Sequence, residues 1–182
     1  MRHQNRGRKL GRSSAHRKAL ARNIIRSLFL HGQIITTISK AKEYAPMAEK
    51  LISIAKKAET KVAAMQAAMK DNPEITPEEI KRQADAIRVA QLRFALSKLP
   101  DKEVVKKLFY VIAPLFANRN GGYTRIIRLN KRRLGDNTKQ AILKLSEELP
   151  EASVIEKQKA DAIKAYRKER DAKLAAKKKA AK

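Results

Sequence analysis

The chain has 182 residues and a net charge of +25, from 43 Lys and Arg against 18 Asp and Glu. It contains no Cys and no Trp, and aromatics make up only 4%, which excludes disulfides and thiolate metal sites and limits the core to a small aliphatic one. The length suits one domain with appendages or two small lobes, and no apolar run approaches the roughly 18 residues that a membrane span requires.

Residues 1–12 are basic and polar with Gly7 and Gly11, a composition that predicts a disordered N-terminal arm in the free protein. Ser13 or Ser14 can cap a helix running to about His31, with Gly32 as its stop. Ala21, Ile24, Ile25 and Leu28 follow the spacing of a buried helical face, and Lys18, Arg22 and Arg26 fall four apart on another. Gln33 to Thr37 is a short β-branched strand. Ser39 can cap the next helix, in which Ala41, Tyr44, Ala45, Ala48, Leu51, Ile52 and Ala55 keep an amphipathic register over four turns. Pro46 falls in its first two turns and can kink it.

The helical pattern fades over residues 59–75, which end in the break Asp71-Asn72-Pro73. Thr76-Pro77-Glu78-Glu79 then reads as a helix start, with Thr76 at N-cap, Pro77 at N1 and Glu79 closing a capping box. That helix runs to about Lys98 and stops at Leu99-Pro100. Asp101 can cap a further helix with the stripe Val104, Val105, Leu108, Phe109, Ile112 and Phe116, whose last turn Pro114 disturbs. Asn118 to Gly122 is a loop, Tyr123 to Leu129 a strand, Asn130 to Asn137 a basic turn, and 138–145 the returning strand of a hairpin. Beyond Leu149-Pro150 the chain becomes Ala/Lys/Glu-rich, with good helix propensity but little to bury. It predicts a frayed helix or a disordered tail.

The charge is unevenly placed along these elements. Residues 1–42 carry eleven basic side chains and no acid, and the first carboxylate is Glu43. Residues 119–133 carry six basic and no acidic ones, whereas residues 57–118 carry eleven basic and eight acidic. A solvated face normally mixes signs, which limits self-repulsion and adds ion pairs. Long acid-free stretches instead call for a polyanion, and a nucleic-acid backbone rewards them by releasing counterions. An Arg-rich, acid-poor start is also the composition of an organellar transit peptide.

Six short pieces occur in one order: Met1-Arg-His, Gly7-Arg-Lys-Leu, Ser13-Ser-Ala-His-Arg-Lys-Ala-Leu, Thr36-Thr-Ile-Ser-Lys-Ala-Lys-Glu43, Gly121-Gly-Tyr-Thr-Arg-Ile126 and Gly135-Asp-Asn137. Together they closely resemble the bacterial large-subunit ribosomal protein L17 family, over about residues 1–58 and 100–146. The resemblance implies an α+β fold, with helices packed on a small mixed β-sheet. It implies a structural constituent of the large ribosomal subunit that binds large-subunit ribosomal RNA near the peptide exit side, beside neighbouring large-subunit ribosomal proteins, in the cytoplasm. It implies no catalysis. Residues 59–99 depart from the family pattern as an inserted helical segment in the globular domain 13–149, and residues 150–182 form a basic tail.

The candidate RNA contacts follow from position. Arg2, His3, Arg6, Arg8, Lys9 and Arg12 sit on an arm that can enter a crevice in folded RNA and order on binding. His16, Arg17, Lys18, Arg22 and Arg26 would meet RNA from a rigid helix, and Lys40 and Lys42 extend that surface from the next one. Gly121 and Gly122 allow close backbone approach. Tyr123 beside them either stacks on an unpaired base or is a half-buried residue beginning a strand, with Arg125 and Arg128 nearby. Lys131, Arg132 and Arg133 lie on an outward-facing turn.

Other classes fare poorly. The three histidines share no ligand spacing, so no metal site and no cofactor is expected. No phosphate-cradling Gly motif, activated nucleophile or paired carboxylate suggests an enzyme or a small-molecule substrate. A membrane-bound reading lacks an apolar anchor or lipidation signal beside the charges. The alternative is a DNA-binding, chromatin-type basic protein, whose Lys/Ala tail would coat duplex. Such a reader should show a groove-entering helix with base-reading polar side chains, or a dimer two-fold, and neither is clear here.

Overall fold

The computed structural model describes residues 7–70 and 76–150. The chain divides into two units, Met1–Glu148 and Leu149–Lys182, and the tail expected from 151 onward lies outside the described residues, as does the break at 71–73. The first unit is α+β. Its elements are α1 (Ser14–His31), β1 (Gln33–Thr37), α2 (Ile38–Lys70), α3 (Pro77–Lys98), α4 (Lys102–Lys107), a π-helical turn (Leu108–Ile112), α5 (Ala113–Leu115), β2 (Thr124–Arg132) and β3 (Lys139–Leu145).

Local chemistry sets most of the boundaries. Ser13 caps α1 by accepting a hydrogen bond from the His16 amide. Gly32, at φ 75°, closes it in a left-handed turn that returns its N–H to the Leu28 carbonyl, a backbone state that favours glycine. At α3 the full capping box is present: the Glu79 amide donates to Thr76 Oγ1, and the Thr76 amide donates to Glu79 Oε2 at 3.1 Å. Asp101 caps α4 with two amides on one carboxylate oxygen, each at 3.1 Å.

Three sequence expectations are corrected in the helices. Ser39 is not an N-cap, because α2 starts at Ile38 directly after the strand and leaves no linker residue to cap it. Pro46 sits in the third turn rather than the first two, on an exposed position where water can serve the carbonyl it leaves unpaired. The fading of the pattern after 59 does not end the helix, which continues to Lys70. Only Val62 is fully buried there, and the alanines at 63, 64, 67 and 68 sustain the helix by intrinsic propensity.

Pro114 acts a full turn earlier than expected. It lacks an N–H, and its ring crowds the carbonyl four residues back, so the backbone widens. The Ala113 amide accordingly bonds to the Leu108 carbonyl, five residues back, and Leu108–Ile112 forms a π turn. The stripe is still buried, with Val105, Leu108, Ile112 and Phe116 fully enclosed.

The sheet is antiparallel throughout, in the order β1-β3-β2, rather than mixed. The long helical connection makes β1 and β2 run the same way, but β3 lies between them and opposes both. Ala141, Leu143 and Leu145 point inward and are buried with Leu28 and Phe29 of α1, Ile52 of α2 and Phe116. The opposite face carries Ile35, Ile142 and Ile127 aligned across the three strands. β2 runs on to Arg132, so Lys131 and Arg132 are strand residues and not part of the turn.

The stretch expected as an inserted helical segment, residues 59–99, is the distal part of α2 and the whole of α3, followed by Leu99. Arg88 of α3 grips Glu59 of α2 through two hydrogen bonds of 3.2 and 3.1 Å. Its far end is not peripheral, since Ala95 and Leu99 are buried in the core.

Candidate nucleic-acid interface

The structure gathers the start of α1, the start of α2 and the second half of the arm into one basic patch. Arg2, His3 and Arg6 lie outside the described residues. From Gly7 onward the arm is anchored: the Arg8 amide donates to Glu43 Oε2 at 2.9 Å, and the Arg8 guanidinium lies 3.6 Å from the same carboxylate. Residues 9–12 form a turn closed by the Arg12 amide on the Lys9 carbonyl. Arg12 Nε donates to His16 Nε2 at 3.3 Å, and Arg17 reaches back to the Arg12 carbonyl at 3.0 Å. His16 thus orients an arginine from the α1 surface. Beneath this patch the Tyr44 ring is buried. Burial, and then the neighbouring Glu43 charge, push its phenol above the ordinary range, while Arg12 and Arg17 pull it the other way.

Lys18, Arg22 and Arg26 are all exposed along α1, but they are not equivalent. Arg26 Nε sits 2.7 Å from Asp101 Oδ2, so it ties α1 to the start of α4. Lys18 and Arg22 have no acidic partner among the described residues, nor do Lys9, Lys40 and Lys42. No acid occupies the first turn of α1 either, where the helix dipole favours negative charge. An external anion would supply it.

Further basic side chains lie along β2, with Arg125 on the outer face and Arg128, in register with Ala141, on the other. Arg125 stands opposite Lys144 of β3 on the outer face of the sheet, and like charges placed this way repel. Arg125, Arg128, Lys131 and Arg132 are exposed and carry no acidic partner among the described residues. Arg133 differs, because it is committed to Asp136 through both carboxylate oxygens. That pairing, with the Thr138 side chain and then its amide, holds the Asp136 carboxyl far below the usual carboxylate range and closes the turn.

Of the two readings of Tyr123, the structure favours the buried one and goes further, to a core residue. It is 6% exposed, meets Phe116 edge-on at 5.2 Å between centroids, and receives the Lys56 ammonium over its ring at 5.3 Å. Gly121 and Gly122 turn the chain into β2, Gly122 at φ 61°. A Cβ on either would meet nothing within 4 Å, so close approach of a partner there is sterically open. The loop is held by Ser146, whose hydroxyl donates to the Gly122 carbonyl at 2.8 Å, and by Lys56 on the Arg119 carbonyl. Glu49 accepts from both the amide and the hydroxyl of Thr124, at 3.1 and 2.9 Å, and fixes the start of β2.

Sequence reading missed the contacts that Glu43, Glu49 and Asp136 make beside this surface, and found Asp101 only as a helix cap and not as the partner of Arg26. Glu43 and Asp136 carry a signal, each being an acid isolated beside a basic stretch. It also missed Lys50 and Lys57, which flank a groove beside α1. Their spacing of seven puts them on one helical face. Among the described residues no three His, Cys, Asp or Glu side chains gather as for a metal ion, and no helix is long and apolar enough to cross a membrane.

The sequence model of the family Ribosomal protein L17 matches residues 20–146. The large ribosomal subunit protein bL17 of Rhodopirellula baltica is 42% identical over 172 residues, covering 80% of each chain. That of Desulfotalea psychrophila is 43% identical over 145 residues, covering 80% of this chain and 89% of its own. That of Halothermothrix orenii is 40% identical over 141 residues, covering 78% and 97%. A protein with a basic patch anchored on two helix starts, matched over most of its length by such relatives, belongs to the bacterial ribosomal protein L17 family.

Proposed function

We propose that the chain binds large-subunit ribosomal RNA through the acid-free surface formed by residues 8–12, α1 and the start of α2, with β2 as a second contact. As a family member it is a structural constituent of the large ribosomal subunit, in the cytoplasmic ribosome, and not an enzyme. The observation that carries the RNA reading is a set of cations held on rigid elements without acidic partners. Lys18 and Arg22 on α1, Lys40 and Lys42 on α2, and Arg125 and Arg128 on β2 lack them among the described residues.

These groups fix position rather than read sequence, since phosphate contacts carry register and orientation. The α1 N-terminus adds amides and a dipole suited to a phosphate. The arm adds reach, Arg2, His3 and Arg6 continuing the cationic sequence. A location near the peptide exit side, beside other large-subunit proteins, follows from the family resemblance and is part of the same proposal. The chromatin-type alternative finds no support in the relatives above, all named as large-subunit proteins.

The test is co-sedimentation with purified large subunits after a high-salt wash. Retention at one copy per subunit is expected. Loss in the wash, with equal affinity for duplex DNA, would instead make the chain a generic polyanion binder.

A further inference from the structure

We propose that the groove between α1, α2 and the end of α3 binds an unpaired RNA nucleotide, its base against Phe94 and its phosphates on the groove's cationic rim. The inference rests on the RNA-binding reading above. The groove has a volume of about 700 Å³. Its floor is core, including Ala21, Leu51 and Leu99. Its walls leave two large apolar side chains in solvent, Phe94 at 50% and Met47 at 44% exposure.

The rim is formed by Lys18 and Arg22 of α1, Lys50 and Lys57 of α2, and Lys98 of α3, and no acid lines the groove. Lys18, Arg22, Lys50 and Lys57 have no ion-pair partner among the described residues. Lys98 Nζ stands 5.7 Å from the centre of the Phe94 ring.

An aromatic face set among unpaired cations is how single-stranded nucleic acid is held. The ring accepts any base because every base has a π face, and the cations follow the backbone. An acidic amphipathic peptide is the competing occupant. Continuity decides between them: Lys18 and Arg22 belong both to the rim and to the ridge assigned to phosphates. A strand leaving the groove along α1 therefore meets further cations.

The experiment uses the full chain with a short single-stranded RNA carrying 2-aminopurine, and a matched RNA duplex. Phe94→Ala removes the ring, and Phe94→Leu keeps apolar bulk without a π face. An unchanged melting midpoint for either variant shows that the fold is kept. Wild type should quench the fluorescence on binding. Both variants should lose the quench and bind the single strand roughly tenfold more weakly, with duplex affinity and salt slope unchanged.

Equal quenching and affinity in wild type and Phe94→Leu would overturn the groove while leaving RNA binding intact. So would an acidic amphipathic peptide that needs Phe94 when RNA does not. Failure of the wild type to bind either RNA would remove the RNA reading itself.

Discussion

Helices α1 and α3 are of similar length and opposite in their electrostatic finish. α3 opens with a capping box, a proline at its first position and Glu78 and Glu79 in its first turn, and ends on Lys98. Its Arg88 is paired with Glu59 and with Asp85. Its dipole preferences are met within the chain, and so is the charge of Arg88. α1 opens on Ser13 alone with no acid in its first turn, and carries Arg17, Lys18, Arg22 and Arg26 with no acid in the helix. Only Arg26 has an acidic partner among the described residues. The N-terminus of α3 is completed by its own acids, whereas that of α1 has none and leaves room for an external anion. The proposed binding surface is thus on the helix that holds no acid, and the acid-bearing helix is its contrast.

Substitutions should divide along that line. The largest effect on stability is expected at Phe116, which is fully enclosed. Phe116→Ala should cost about 3–5 kcal/mol, seen as a lower denaturation midpoint, without altering the salt slope of RNA binding in the fraction still folded. Deleting residues 2–12 should do the reverse. It removes five cations, so the slope of log K against log salt should fall by up to about 4. Its thermal cost should be small, because the Arg8–Glu43 pair is partly exposed. An unchanged slope would mean that the arm does not contact phosphate.

Smaller changes sharpen the contrast. Thr76→Ala breaks the capping box and should cost about 1 kcal/mol in a melting experiment with RNA affinity intact. Arg22→Ala and Arg26→Ala remove equal charge from one helix ridge. Arg22→Ala should lower the salt slope by about 0.7 with stability unchanged. Arg26→Ala should lower stability by up to about 1 kcal/mol, through the lost pair with Asp101, and move the slope less. Identical slopes for the two variants would show that pairing does not predict function.

Much of this was legible in the sequence because it depends on local chemistry. The Ser13 and Thr76 caps, the Gly32 stop and the buried face of α2 each follow from neighbours within four residues. The antiparallel order of the sheet was not legible. It depends on where β3 inserts, and the periodicity of a strand says nothing about its partners. Tyr123 was open for the same reason: its neighbours Phe116 and Lys56 come from other elements. The π turn was foreseeable only as a disturbance at Pro114, since the backbone relieved the clash by widening the preceding turn. Among the site residues, charge patterning found the basic surface. It could not tell Arg26 and Arg133, held by Asp101 and Asp136, from Lys18 and Arg22, because ion pairing across elements is a tertiary property. It also passed over Lys50 and Lys57, which read as part of an ordinary amphipathic helix.

The most direct test compares two charge-matched double variants in binding to large-subunit ribosomal RNA across a salt series. Lys18→Ala with Arg22→Ala alters α1, and Lys81→Ala with Arg82→Ala alters exposed positions on α3. The account predicts that the α1 variant loses about 1.4 from the salt slope and the α3 variant keeps the wild-type value. Equal losses from both would contradict it, because binding would then follow net charge and not the acid-free face of α1.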